Sequence, residues 1–266
     1  GPNWGIEFTG GTEMHLKLEK HVDIDVIKKD LKSNGFSSES VQQFGLAGDN
    51  EYLVSFSPEF VSFDQVKGFK NKLEDIIEKS PNFKGASILR IDYIGPKVGK
   101  QLISKALLAI LFGCVGILIY LVFRFEFGFA MGAVIALIHD FTITLGAISI
   151  LDKEFSLAII AALLTVIGYS VNDTIIIFDR IRESIGNNPG KNFRQIVNDG
   201  INQTLSRTIL TSFTVFIVLI PLFLLGGATI HDFAFTLIIG VIVGTYSSIF
   251  IAGSFVIYWR ERKKPK

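Results

Sequence analysis

Two carboxylates lie within runs of sequence that read as oil-soluble, and an arginine borders a third run. Asp140 lies near the middle of one long apolar run, Asp173 near the end of the next, and Arg207 at the start of the one after that. A charged group at mid-membrane costs roughly 2.5–3.5 kcal/mol on insertion scales, so its presence implies a use. A carboxylate that takes up and releases a proton, beside a permanent guanidinium, is the minimum equipment for passing protons through a helical bundle. Each proton that crosses 100 mV delivers about 2.3 kcal/mol, enough to bias a bistable helix pair. The same residues admit two other readings. Asp173 and Arg207 could form a static ion pair that pins two helices and need not stabilise anything. Asp140 and Asp173 could share a proton as an intramembrane aspartyl protease would require. The protease reading lacks its Gly-x-Gly-Asp element, since Asp173 follows Ser170, Val171 and Asn172, and no enzyme is expected.

The neighbours of these residues are small or polar at helical spacing. Thr165, Tyr169, Asn172 and Asp173 stand at i, i+4, i+7 and i+8 and so share one helical face, with Asn172 counted in the proton route. Arg207, Thr211 and Thr214 line a face of the following segment. Gly128, Gly132, Ala136, Asp140 and Thr144 form an i+4 ladder, and Gly240, Gly244, Ser248 and Ala252 form another. Such ladders let helix backbones approach closely. Packing alone explains the glycines; a carboxylate set on a ladder adds an interior path for a proton. His139 adjoins Asp140 but should project about 100° away around the helix, leaving Asp140 without a basic partner in its own segment.

The elements that must carry these residues follow from composition. Of 266 residues, 49% are hydrophobic and only 19% charged, with a mean hydropathy of +0.45. That excludes a purely soluble or disordered chain. A net charge of +1 excludes a basic nucleic-acid-binding domain, and the single cysteine, Cys114, excludes a disulfide framework or a cysteine metal cluster. Five apolar runs are each long enough to cross a hydrocarbon layer of about 30 Å: 104–123, 128–150, 156–178, 208–225 and 233–259. Without water to satisfy free amides, such spans are helices. Going along the chain, the polar breaks alternate sides. One side collects Arg124, then Arg180, Arg182, Lys191, Arg194 and Arg207, then Arg260, Arg262, Lys263, Lys264 and Lys266; the other carries only Lys153. This bias places the C-terminus in the cytoplasm and residues 1–100 outside. An outer domain followed by an inward-going helix needs a preceding span for its export, so a first transmembrane helix is expected upstream of Gly1. The stretch Asp179–Glu183 could gate the cytoplasmic mouth or anchor its helix at the headgroups; the loop-charge pattern favours the anchor.

The first 100 residues have mixed periodicity. Ile6–Glu19 alternates at Met14, Leu16 and Leu18 as a strand does. Asp23–Asn34 reads as a helix stopped by Gly35. Val41–Phe44 and Glu51–Ser57 flank Gly48-Asp49-Asn50 as in a hairpin. Phe63–Ser80 carries apolar residues at helical spacing, and Phe83–Tyr93 alternates again. The order β-α-β-β-α-β predicts an α+β, ferredoxin-like extracytoplasmic domain over 1–100, followed by a membrane α-helical domain over 101–266. That fold names no function. His15 and His21 read as surface histidines, and no metal-ligand spacing or bound cofactor is expected.

Several motifs carry a resemblance. Gly5–Thr12, with Gly5, Phe8, Gly10 and Gly11, resembles the opening motif of the SecD/SecF protein-export membrane proteins. Gly168–Glu183 is similar to the signature of the SecF branch of that family. His139-Asp140 with Thr144-Leu145-Gly146, Ser206-Arg207-Thr208 with Thr211-Ser212, and Gly244–Ser248 also resemble the family, in order over nearly the whole chain. The resemblance implies an RND-superfamily bundle of six spans per half, of which five are seen here. It also implies a bacterial cytoplasmic (inner) membrane location and partnership with SecD, with the SecYEG channel and with SecA. Unfolded preprotein is the implied substrate and the proton the implied coupling ion. Asp173 and Arg207 are then the expected proton-path residues, Asp140 also matches, and Tyr169, Thr165, Thr144 and Thr211 form the supporting polar face. An RND-like proton-driven exporter of small solutes could use the same helices, but it needs a large porter domain between spans.

Overall fold

A computed structural model describes residues 3–262 apart from Ser37, residues 45–47, Asp49, residues 58–65 and Lys84. The expected basic residues Lys263, Lys264 and Lys266, the Asp49 of the hairpin turn and the start of the helix expected from Phe63 lie outside the described residues. The chain opens with a two-residue strand β1 (Asn3–Trp4), one helical turn α1 (Ile6–Thr9) and strand β2 (Gly11–Lys17). Helix α2 (Ile24–Ser33), strands β3 (Ser38–Phe44) and β4 (Glu51–Phe56), helix α3 (Val66–Lys79), a 3-10 turn at Pro81–Phe83 and strand β5 (Ser87–Ile94) follow.

The strand expected over Ile6–Glu19 is therefore broken. Ile6–Thr9 is helical, and the break falls at Gly10 (φ 76°) and Gly11 (φ 139°), conformations that favour glycine. At Gly11 a Cβ would also lie 2.5 Å from the Phe56 carbonyl oxygen, because β2 pairs closely with β4 there. The alternating pattern begins only after this pair, and the fifth strand likewise starts at Ser87 rather than at Phe83.

The sheet runs β3-β4-β2-β5, with every neighbouring pair antiparallel. Alternation puts Met14, Leu16, Val41, Tyr52, Val54 and Phe56 on one face, where α2 (Ile27, Leu31) and α3 (Phe69, Leu73, Ile77) bury them. Helix α2 starts where Asp23 accepts a hydrogen bond from the Asp25 amide at 3.0 Å, as an N-cap does, and stops before Gly35 at φ 84°. The opposite sheet face is polar. It carries Glu13, and His15 and Lys17, both bonded to Glu51 at 2.9 and 2.8 Å.

Helices α4 (Pro96–Arg124), α5 (Phe127–Ile150), α6 (Leu157–Asn187) and α7 (Phe193–Leu225) come next, with β6 (Glu154–Phe155) between α5 and α6. The last span is α8 (Gly227–Ser247), a π-helical turn at Ser248–Ala252 and α9 (Gly253–Arg262). Among the described residues, five helical spans are long and apolar enough to cross a membrane. The 31 residues of α6 and 33 of α7 extend about 46 and 50 Å at 1.5 Å per residue, well beyond a 30 Å hydrocarbon layer. The apolar runs thus miss the polar end of α6 after Phe178 and the polar start of α7 before Thr208. The polar extensions carry Arg180, Arg182, Glu183 and Arg194, and Asp179 pairs with Arg124 of α4 at 2.6 Å. Helix α6 is central and packs against α5, α7 and α8.

The first residues of the chain pack with the bundle rather than with the sheet. Strand β1 pairs in parallel with β6, and Phe8 is buried among Ala106, Ile148, Phe155, Ile159 and Leu163. A Glu7 carboxylate oxygen accepts from the Leu157 amide at 2.5 Å, satisfying an otherwise orphaned donor at the start of α6.

Candidate functional site

The two small-residue ladders face inward and set the spacing of the site. A Cβ at Gly132 would lie 3.1 Å from the Ala252 carbonyl oxygen and the same distance from Val256, so α5 rests directly on the last span. A Cβ at Gly240 would overlap Val166, and one at Gly244 would sit 3.1 Å from Ser170, so α8 rests on α6. Backbones this close bring short side chains from three helices together. Asp140, 1% exposed, is the result. Its Oδ2 accepts from the Ser170 hydroxyl of α6 and, at 2.7 Å, from the Ser247 hydroxyl of α8. Its Oδ1 lies 3.0 Å from His139 Nδ1. The expectation that His139 points away is corrected: Nδ1 is close to its own backbone, so an imidazole can reach an adjacent carboxylate although their Cβ atoms diverge.

Asp173 on α6 is equally buried, at 1% exposed. Neither of its oxygens has a hydrogen-bond partner among the described residues. Arg207 of α7 is near enough for its charge to act on this carboxylate, but it makes no hydrogen bond to it. The static ion pair is therefore not formed. Arg207 is exposed, which corrects the expectation that it is buried beside Asp173. Its helix turns Thr204, Thr208 and Ser212 inward, and Arg207 falls just outside that stripe.

The four-residue face on α6 also divides. Tyr169 and Asp173 turn toward the bundle, whereas Thr165 and Asn172 are exposed, and the Thr165 hydroxyl donates to its own helix at the Ala161 carbonyl. Tyr169 donates to Ser212 at 3.1 Å, and Ser212 bonds Thr245 at 2.7 Å, linking α6, α7 and α8. Thr144 and Thr208 are buried with hydroxyls that have no hydrogen-bond partner among the described residues. Thr211 donates to the Arg207 carbonyl at 2.5 Å.

The sequence motifs Gly168–Glu183, Thr211-Ser212 and Gly244–Ser248 contain Ser170, Ser212, Thr245 and Ser247, but no role is read for them from sequence. The available signal is that Ser247 adjoins the second ladder in sequence. The two aspartates share no hydrogen bond, so the dyad of an aspartyl protease is not formed. Among the described residues, no group of three or more histidine, cysteine or acidic side chains is placed to hold a metal ion.

A second polar cluster lies between the sheet and the bundle. A cavity of about 370 Å³ is lined by Glu7, Glu13, Arg90, Asp92, Lys153 and Glu154, among others. Burial, helped by the negative charges of Glu154, Asp92 and Glu7, pushes the Glu13 carboxyl up to about 8, and Arg90 opposes this. Glu154 is also raised, chiefly by burial. Glu51, at the far end of the same face, is lowered, first by its hydrogen bond from Lys17.

Comparisons with known proteins agree with this architecture. A family profile described as "Protein export membrane protein SecD/SecF, C-terminal" matches residues 74–262, and one described as "SecD/SecF GG Motif" matches residues 1–20. The protein translocase subunit SecF of Calditerrivibrio nitroreducens is 43% identical over 99% of this chain and 86% of its own length. That of Magnetococcus marinus is 44% identical over 97% of this chain and 82% of its own. The crystal structure of SecDF, a translocon-associated membrane protein from Thermus thermophilus, superposes with a TM-score of 0.87 at 36% identity. It covers 98% of this chain, which spans 35% of that longer one.

Proposed function

Because the chain belongs to the SecD/SecF family of protein-export membrane proteins, we propose that it is a SecF-type translocase subunit that uses the proton-motive force to promote preprotein export. The observation that carries the coupling is Asp173: a buried carboxylate on the central helix, with neither oxygen hydrogen-bonded among the described residues. No donor bonds this carboxylate to fix one charge state, and each proton it gains or loses changes the charge inside the bundle. Arg207, on the helix packed against α6, supplies a fixed positive charge within electrostatic range. Tyr169, Ser212 and Thr245, with the unpartnered hydroxyls of Thr144 and Thr208, offer polar positions along the route.

The exposed Asn172, within an apolar run of α6, would be poorly accommodated by lipid, which supports a second subunit in the same membrane. The Thermus thermophilus relative is named SecDF, and a SecD partner is the occupant this reading assigns, with SecYEG and SecA as further partners. The strand order β3-β4-β2-β5 supports a ferredoxin-like unit outside the bacterial inner membrane, with the basic residues of α6, α7 and α9 in the cytoplasm.

The test is preprotein transport into inverted membrane vesicles that carry this chain, its partner subunit and a proton gradient. Asp173→Asn is expected to remove the gradient-dependent part of transport and leave the ATP-driven part. Unchanged gradient dependence would refute the coupling.

A further inference from the structure

We propose that Asp140 is a positioning residue for Asp173, clasping the turn of α6 that carries the acid to the start of the π-turn in the last span. The proposal deepens the reading of Asp173 as the proton-binding group and rests on it. The argument begins with what Asp173 lacks. Its carboxylate makes no hydrogen bond of its own among the described residues, so its place in the bundle is inherited from the backbone turn beneath it. That turn is tethered on two sides. Tyr169 ties it to Ser212 of α7, and Ser170, three residues before Asp173 and on nearly the same side of the helix, ties it to Asp140 of α5.

The same Asp140 oxygen also holds Ser247 of α8 at 2.7 Å, at the residue preceding the π-helical turn Ser248–Ala252. A π-turn is an uncommon feature of a helix and is often found at functional sites. One oxygen thus joins three helices, one bearing the acid and one bearing the irregular turn. The geometry requires an oxygen that accepts twice. Both serines reach it, Ser170 packed against Gly244 and Ser247 also within 3.2 Å of the Gly244 carbonyl oxygen. An alanine in place of Asp140 removes this acceptor altogether, whereas an asparagine would keep one oxygen able to accept from both serines. The titratable and charged groups around Asp173 are Tyr169 on its own helix and Arg207 on α7; His139 faces Asp140 from α5. None of them bonds the Asp173 oxygens, so a small shift of the turn changes its surroundings directly.

A carbodiimide that modifies protonated buried carboxyls reads this without transport. The full chain, with its partner subunit in vesicles, is labelled across a pH series, and peptide mapping reports Asp173. Asp140→Ala and Ser170→Ala are expected to move the midpoint of Asp173 labelling by about one pH unit or more, a tenfold change in proton affinity. Ser247→Ala should move it in the same direction and Ser247→Thr, which keeps the hydroxyl, should restore it. A wild-type midpoint in Asp140→Ala overturns the proposal. So does labelling of Asp140 itself with the same pH dependence, which would make it a carrier. Where Asp140→Ala fails to assemble, the Ser247→Ala and Ser247→Thr pair decides by the same criterion. Loss of the coupling reading is separate: it shows as unchanged gradient-driven transport in Asp173→Asn, whatever the labelling midpoint does.

Discussion

Glu13 of β2 stands directly across from Asp92 of β5 in the antiparallel register, so two carboxylates face each other on the sheet surface that looks toward the bundle. Like charges directly opposite are destabilising. Glu7 and Glu154 add further negative charge from the bundle side, and the proton Glu13 retains in the folded state relieves the repulsion.

The pH dependence follows with a definite sign. The Glu13 carboxyl is raised from 4.5 to about 8 on folding, so the folded state holds a proton that the unfolded chain has released. Its contribution to stability is complete below about 4.5 and is lost as pH rises through about 8. Thermal unfolding in detergent should therefore show a falling midpoint over that window. Glu13→Gln, which mimics the protonated form, is expected to flatten the curve there. A Glu13→Gln curve parallel to that of the natural chain would contradict the assignment.

The ladders predict opposite outcomes for the same substitution. A Cβ at Gly240 overlaps Val166, whereas at Gly146 nothing lies within 4 Å. Gly240→Ala should destabilise the bundle by about 1–3 kcal/mol through overpacking. Gly146→Ala should be neutral or stabilising by up to about 1 kcal/mol, since alanine is the better helix former. Denaturation of the two variants in the same detergent checks the contrast. Equal effects would mean that the approach of α8 to α6 is not set at Gly240.

Glu7 predicts a local loosening. Its carboxylate serves the start of α6, and replacing it with alanine removes a charged acceptor there, a loss of about 1 kcal/mol. Trp4 lies 5.1 Å from Phe155 and 5.7 Å from Phe8, ring centre to ring centre, and reports on the same contact. In a Trp259→Phe background, Glu7→Ala should shift Trp4 emission to the red and raise its quenching by iodide. An unaltered Trp4 spectrum would show that the first residues stay docked without the carboxylate.

The sequence made some of this legible and hid the rest for physical reasons. The centres of all five spans are readable because hydrocarbon demands about 20 apolar residues. The polar end of α6 and the polar start of α7 are not, since helix beyond the hydrocarbon is as polar as a loop. The burial of Asp140 and Asp173 follows from their surroundings. The exposure of Arg207 and Asn172 does not, because helical spacing groups residues within a turn but cannot say where the boundary of a buried face runs. It runs between Asn172 and Asp173, one residue apart. Ser170 and Ser247 escaped because uncharged serines are common in such spans, and their meaning lies in a carboxylate on a third helix. The carboxylates beneath the sheet escaped because Glu7, Glu13, Asp92 and Glu154 come from four segments that meet only in the folded chain.

The attachment of the sheet has a mechanical consequence. Its chain enters at Gly10–Gly11 and leaves at Gly95, and on the bundle side of both points the backbone is docked: residues 3–9 against β6 and the start of α6, and α4 against the Phe8 carbonyl at Gly99. A body hung at two points swings about the line through them and resists every other rotation. Any swing of the sheet therefore twists the top of α4 and tugs the first turn of α6, so that load applied far outside the bilayer arrives at the rod on which Asp173 is mounted.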